Sequence, residues 1–377
     1  MTKEETVIIR IENIKDVCST ILPAVDSTKF LSITETLQLE AENGILTMSV
    51  TNREYFVKVK LDVDKEEKFV ATVNANLFLQ LVSHTTSETV ELSVDETNLT
   101  FKGNGTYKIP LIYDGSELLK LPEIVINNVT SSFSIESSIL HDILKYNSKQ
   151  ITIGTLSRPV QKMYYVDEKG CITFTSGACV NNFTLEKPVK LLFNDRLVKL
   201  FKLFKSPKVT FTLGFDEVSD DIIQTKVMFD GDNVTITSIL SCDDSLITSV
   251  PADAIRKRAT NTYPYSIVIN KNELMETICR LLLFADDKST RVYSTFEFTP
   301  DCVTIWDTEK NNNEEIMYEN HIDTIDSYSA ILDFFDLKAV LDTCSEQYIN
   351  LSFGDGQAVV ISRKNIYNVI PECKVIS

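Results

Sequence analysis

The 377-residue chain repeats itself three times, and this constrains its fold more than any single motif does. An alternating apolar strand followed by a segment of helical spacing opens each copy. In the first copy Val7, Ile9 and Ile11 alternate ahead of Ile14, Val17 and Cys18. In the second, Phe133 and Ile135 precede Leu140, Ile143 and Leu144; in the third, Ile267 and Ile269 precede Leu274, Thr277 and Ile278. Leu140 and Leu274 lie 126 and 260 residues beyond Ile14, and Ile143 and Thr277 lie equally far beyond Val17. A second helix-then-strand unit closes each copy. Here Leu77, Leu197 and Leu337 correspond, as do Leu81, Phe201 and Leu341, ahead of the strands Val90/Leu92, Val209/Phe211 and Ile349/Leu351. Chance periodicity does not hold register over such spans.

Between the two helices of each copy lie strand-like stretches bounded by turn residues, such as Leu37 to Glu40, Ile45 to Val50 after Asn43-Gly44, and Tyr55 to Leu61. Gly103-Asn104-Gly105, Asp230-Gly231 and Gly354-Asp355-Gly356 read as later hairpins or tight turns. Each copy therefore reads β-α-β-β-β-β-α-β-β-β, an α+β domain dominated by antiparallel sheet. The expected domains are residues 1–126, 127–260 and 261–377. Linkers are expected near Leu121-Pro122-Glu123 and over Pro251 to Pro264.

Charge complicates a functional reading. The chain holds 37 basic and 54 acidic residues, a net charge of -17, which argues against a nucleic-acid binder if taken as a total. Its distribution argues otherwise. Residues 1–126 carry a net -8, residues 127–260 a net +1 and residues 261–377 a net -10. The second copy contains Asn194 to Lys205, where Leu197, Leu200, Phe201 and Phe204 follow helical spacing. At 100° per residue Arg196, Lys199, Lys202 and Lys205 sweep the opposite half of that helix. A solvated face is the ordinary meaning of such charges, but an acidic protein solvates its faces with Asp and Glu, and this helix has only Asp195. The equivalent helices supply Lys15, Lys145, Lys149, Arg280 and Lys338, interspersed with Asp142, Glu276 and Asp342.

Catalytic and metal-binding patterns are missing. His84, His141 and His321 are far apart, and no Cys/His cluster, phosphate-binding glycine loop or Gly-x-Ser-x-Gly elbow occurs. Asp220-Asp221 and Asp243-Asp244 sit in polar, turn-like stretches where solvated loops are the default. The eight cysteines form no Cys-x-x-Cys pair and are expected to be reduced, partly buried thiols. No secretory segment or long apolar run is visible, so a cytoplasmic protein without cofactor or metal is expected.

Taken together, the repeats, the helix pairs and the bases gathered on helices of an acidic chain resemble the bacterial-type sliding clamp, the β subunit of DNA polymerase III. The resemblance spans nearly the whole chain. Local matches are Ile21-Leu22-Pro23 after the first helix, Thr175-Ser176-Gly177, which is similar to the family's Thr-Asp-Gly turn, and Asn368-Val369-Ile370-Pro371 near the end. The resemblance implies a head-to-tail dimer ring that encircles duplex DNA without sequence readout, a processivity factor and not an enzyme. In such a ring Lys15, Lys145, Lys149, Arg196, Lys199, Lys202, Lys205, Arg280 and Lys338 would face DNA. It also implies an apolar pocket for short linear peptides of polymerase, clamp loader and repair factors. By correspondence with the family, Val160, Thr175, Gly177, Val180, Pro251, Val369, Ile370 and Pro371 would form it.

Some residues depart from the family. Ala178-Cys179 stands where the family has His-Arg, the family's Phe-Pro-Asp-Tyr pattern is missing around Pro251, and the tail runs on to Ser377. These departures fit a diverged phage or plasmid copy as well as a chromosomal one. Two other readings stay open from sequence: a β-rich structural or adaptor assembly protein, and an enzyme on repeated α+β domains. The basic helix speaks against the first, and the missing catalytic constellation against the second.

Overall fold

The computed structural model describes residues 6–25, 32–64, 68–152, 158–219, 222–240, 244–286 and 289–373. The first repeat runs β1 (Thr6–Arg10), α1 (Ile11–Ile21), β2 (Thr36–Glu42), β3 (Ile45–Thr51), β4 (Tyr55–Asp62), β5 (Phe69–Asn74), α2 (Ala75–His84), β6 (Thr89–Val94), β7 (Asn98–Lys102) and β8 (Thr106–Pro110). A small hairpin, β9 (Tyr113–Asp114) and β10 (Glu117–Leu118), follows. The second repeat opens with β11 (Asn128–Glu136), α3 (Ser137–Asp142), a π-helical turn at Ile143–Asn147 and α4 (Ser148–Thr152). It continues through β12 (Met163–Asp167), β13 (Gly170–Phe174), β14 (Ala178–Asn182), β15 (Lys190–Asn194), α5 (Asp195–Leu200), β16 (Lys208–Ser219), β17 (Ile222–Asp230) and β18 (Val234–Leu240). Two short helices come next, α6 (Asp244–Thr248) and α7 (Ala252–Ala259). The third repeat is β19 (Tyr265–Asn270), α8 (Lys271–Leu281), β20 (Tyr293–Phe298), β21 (Cys302–Trp306), β22 (Asn313–Met317), β23 (Tyr328–Asp333), α9 (Phe334–Leu341), β24 (Tyr348–Phe353), β25 (Ala358–Arg363) and β26 (Ile366–Pro371). The element order expected from sequence recurs in all three.

The chain forms two compact units, one from Met1–Ser138 with Lys199–Ser241 and the other from Ile139–Val198 with Cys242–Ser377. The first contains an eight-stranded antiparallel sheet, β11-β16-β17-β18-β4-β3-β2-β5, and a four-stranded one, β1-β6-β7-β8. The second contains an eight-stranded sheet, β15-β12-β13-β14-β26-β25-β24-β19, and a four-stranded one, β22-β21-β20-β23. Both large sheets cross a repeat junction in the same way. The fourth strand of one repeat pairs with the last strand of the next: β4 with β18, from Val59↔Val234 to Tyr55↔Ser238, and β14 with β26, from Ala178↔Val369 to Asn181↔Ile366.

Local chemistry places the helices. Asn74, Asn194, Asn270 and Asp333 each end a strand and cap the helix that follows, their side-chain oxygens accepting from Leu77, Leu197, Asn272 and Phe335 backbone N–H. The caps also correct the alignment of the second helices. Counted from the cap, Phe78, Val198 and Leu337 correspond, all fully buried, whereas Leu77 is 48% exposed and Leu81 half-buried. The cap sets the phase of a helix, and hydrophobic spacing alone allows a one-residue slip.

The apolar faces meet in aromatic-rich cores. Phe211 and Phe201 pack on Phe229 with ring centroids 5.2 and 5.0 Å apart, and Phe298 stacks on Phe353 at 4.1 Å. Burying each such ring is worth about 1.5–3 kcal/mol. The expected linker at Leu121-Pro122-Glu123 is irregular backbone, with Leu121 and Ile124 packed near Phe56 and Glu123 paired with Lys58 at 2.6 Å. The expected linker at Pro251 to Pro264 is a different structure, since most of it is the helix α7.

Cys18, Cys171, Cys179 and Cys344 are buried free thiols. Burial pushes Cys18 and Cys179 up to about 12, which suits inert packing groups. Cys242, Asp220, Asp221 and Asp243 lie outside the described residues.

Candidate functional site

The basic segment of the second repeat is shorter as a helix than its spacing predicts. α5 ends at Leu200, tightens into a 3-10 turn over Phe201–Leu203 and is extended at Phe204, where φ is -76° and ψ is 116°. Pro207, three residues on, disfavours helical backbone at Ser206, so a helix here could not run past Lys205. The sidedness is as expected. Leu197, Leu200, Phe201 and Phe204 are buried, joined by Val198 and Leu203, while Arg196, Lys199, Lys202 and Lys205 are exposed. Asp195, the one acid here, accepts the Tyr164 hydroxyl at 2.9 Å, which engages it in structure.

The other bases differ among themselves. Lys145 and Lys149 are exposed on the π turn and α4, and the Lys145 ammonium lies 4.7 Å from the Tyr146 ring centre. Lys15 on α1 and Lys338 on α9 are half-buried. Lys205 pairs with Asp16 of α1 at 2.6 Å, both side chains exposed. Arg280 holds Glu314 through two bonds, Nε to Oε1 at 2.8 Å and Nη2 to Oε2 at 2.6 Å, and this contact holds the Glu314 carboxyl below its ordinary value.

A separate cavity of about 370 Å3 lies in the second unit, lined by the loop at Phe174–Ala178, by α7 and by β25 and β26. Thr175, Gly177, Pro251, Val369 and Pro371 line it. Gly177 is there because of a close approach: a Cβ would stand 2.4 Å from the Val369 carbonyl oxygen. The loop is tied down by Thr175 N–H donating to the Gly177 carbonyl at 2.8 Å, by Gln150 Nε2 donating to Thr175 Oγ1 at 2.9 Å and by Ser176 Oγ donating to Asp336 at 3.2 Å. Burial pushes the Asp336 carboxyl up, against the pull of Arg291 at 3.0 Å.

Three residues assigned to the pocket do not line it. Val160 and Val180 are buried in the apolar cluster that also holds Ala178 and Val369. Ile370 points into the core of the third repeat with Val359 and Ile361, because neighbours on a strand face opposite sides.

The walls from α7 escape a reading of the sequence alone. Ala254, Ile255 and Arg258 line the cavity. Arg256 grips Asp167 at 2.6 and 2.7 Å, and Arg258 reaches Asp355 at 2.5 Å, so α7 is pinned to strands far from it in sequence. Arg256-Lys257-Arg258 directly after Ile255 fall in the polar stretch between two prolines that is expected to be a linker. Among the described residues no three His, Cys, Asp or Glu side chains gather in a way that could hold a metal ion, and no helix is long and apolar enough to cross a membrane.

Residues 6–117 match the family model of the DNA polymerase III beta subunit, N-terminal domain. The whole fold is that of solved bacterial sliding clamps. The sliding clamp of Pseudomonas aeruginosa bound to griselimycin matches with a TM-score of 0.81 at 12% identity, over 99% of this chain and 100% of that one. The clamp of Bacillus subtilis matches with a TM-score of 0.78 at 16% identity over the same shares, 99% and 100%. The beta subunit of Thermotoga maritima matches with 0.76 at 14% identity, over 98% of this chain and 99% of that one. No curated protein matches the sequence.

Proposed function

We propose that this chain, which carries the fold of bacterial DNA sliding clamps, is one half of a ring that encircles duplex DNA and tethers a replicative polymerase to it. The observation that carries the reading is the set of sheets. The four-stranded sheet β1-β6-β7-β8 has the same strand order as the β11-β16-β17-β18 half of the first large sheet, and β22-β21-β20-β23 has the order of its β4-β3-β2-β5 half. Among the described residues the first repeat thus leaves its last strand, β8, and the third its fourth strand, β22, paired on one side alone. Joining β8 of one copy to β22 of a second completes an eight-stranded sheet of the type the chain already contains twice. Doing so at both ends closes a ring of two chains and six domains, 1–126, 127–260 and 261–377 from each.

Chemistry at the two edges fits this closure. β8 exposes Tyr107 and Lys108, β22 exposes Glu315 and Met317, and Leu283 and Phe284, 80% and 63% exposed, directly follow α8, which packs on β22. Two open edges with apolar side chains invite a strand partner. Steering by the acidic remainder of the surface favours DNA at the basic helices, where Lys145, Lys149, Arg196, Lys199, Lys202 and Lys205 would make phosphate contacts without sequence readout. Contacts of that kind suit a protein that must slide and does no catalysis. The cavity beside α7 would receive an apolar linear peptide of a polymerase, loader or repair factor, and a fluorescent Gln/Leu/Phe-containing peptide should bind there and lose binding on Gly177→Ala.

Sedimentation together with DNA retention tests the ring. A species of twice 42.6 kDa is expected, retained on nicked circular DNA and lost once that DNA is cut to a linear form. Equal retention on both topologies, or a monomer at every concentration, would overturn it and leave a structural assembly role as the better reading.

A further inference from the structure

The three repeats each tie their first helical segment to their fourth strand, and they do so with three different chemistries. In the first, the Tyr55 hydroxyl of β4 donates to the Ala24 carbonyl just after α1 at 2.7 Å. In the second, the Asn147 side-chain amide donates to the Cys179 carbonyl of β14 at 3.3 Å. Both ties are buried, and both strands are hydrogen-bonded on two sides.

The third repeat uses Arg280 of α8 and Glu314 of β22. Both oxygens of the carboxylate are taken, and Oε2 also accepts from Thr277 Oγ1 at 3.0 Å, a hydroxyl on a residue only 1% exposed. Glu314 and Ile316 lie on the helix side of β22, while Glu315 and Met317 lie on the other. This strand, unlike β4 and β14, ends its sheet.

An edge strand has lost one of its two ladders, so its position depends more on what holds it from behind. A bidentate guanidinium–carboxylate pair fixes distance and plane together, which a single hydrogen bond does not. Nε and Nη2 of Arg280 are engaged by Glu314 and Thr277, and Nη1 lies 3.8 Å from Glu276 Oε2, so two carboxylates stand beside the guanidinium where a phosphate would have to approach. We infer that Arg280 is a positioning residue for ring closure, holding β22 in the place where the β8 edge of a second copy meets it, and is not a DNA contact. This inference rests on the ring reading and reassigns one residue that the family resemblance places in the DNA path.

Analytical ultracentrifugation of the full chain and of Arg280→Gln, Glu314→Gln and the exchanged pair Arg280→Glu/Glu314→Arg tests it. Each single change is expected to weaken the dimer by about fivefold, the equivalent of one well-formed exposed pair. The exchanged pair should recover most of that loss, which general destabilisation of the third repeat would not allow. At protein concentrations that keep every variant dimeric, the salt dependence of retention on nicked circular DNA should match that of the parent chain. A parent dimer no tighter than its Arg280→Gln variant overturns the inference, as does a fall of about one in the salt slope, the signature of a lost phosphate contact. A parent chain that stays monomeric instead overturns the ring reading, and the two failures are distinct.

Discussion

β4 and β22 hold the same place in two copies of one repeat, yet their surroundings differ. β4 is bonded to β3 on one side and β18 on the other, with Val57 and Val59 fully buried. Among the described residues β22 is bonded only to β21, and Met317 at its end is 57% exposed. The repeat therefore has one edge that gives a strand and one that accepts it. Three repeats satisfy two such joints and leave one edge of each kind unmatched, and the proposed ring would use both.

Disturbing the closed joint should do the most damage. Val57→Asp puts a carboxylate in the middle of an eight-stranded sheet and should cost more than about 4 kcal/mol, seen as loss of the folded baseline in a denaturant titration. If Val57→Asp melts like the parent chain, β4 is not an interior strand.

Next comes the open edge. Tyr107→Glu combined with Met317→Glu puts one new acid on each open edge, that on β22 on the same side as Glu315, and should weaken the proposed dimer by about 100-fold through like-charge repulsion. Monomer stability should change by less than about 0.5 kcal/mol, because these side chains are exposed. A dimer that survives the pair places the interface elsewhere.

Arg196, Lys199 and Lys202, all changed to Glu, touch neither kind of edge. Loading on nicked circular DNA should weaken, with the salt slope reduced by about three, while sedimentation still reports a dimer. Unchanged retention would remove these residues from the DNA path.

The response to acid should be weaker than any of these. Arg280 holds the Glu314 carboxyl below the ordinary glutamate value of 4.5, so what their pair contributes is present above that pH and is lost as pH falls through the lower folded value. Dimerisation of the parent chain should weaken over that window by more than that of Arg280→Gln. Parallel acid profiles for the two would separate the pair from closure.

Much of the fold is legible in the order of the residues. Alternation at Val7/Ile9 and Ile267/Ile269, helical spacing at Leu274/Ile278 and the basic side of the Arg196–Lys205 segment all reappear as expected, because a residue's period along the chain decides which side it presents. The phase of α2 is not legible in this way, since Leu77 and Phe78 are both apolar and only the Asn74 cap chooses between them. The cavity is only partly legible. The family resemblance groups Thr175, Gly177, Pro251, Val369 and Pro371, which line it, but α7 is held in place through Asp167 and Asp355, which no local pattern connects to it.

Spacing within a dozen or so residues is enough to set the α+β order of each copy and the sidedness of its helices, and the recurrence of that spacing at offsets of 126 and 260 residues sets the three copies. It does not say that sheets merge across repeats, that two edges stay open or that Arg280, half-exposed as it is, takes Glu314 as its partner. Those features are pairings between residues tens to hundreds of positions apart, and they depend on which strand edges meet once every element has been buried.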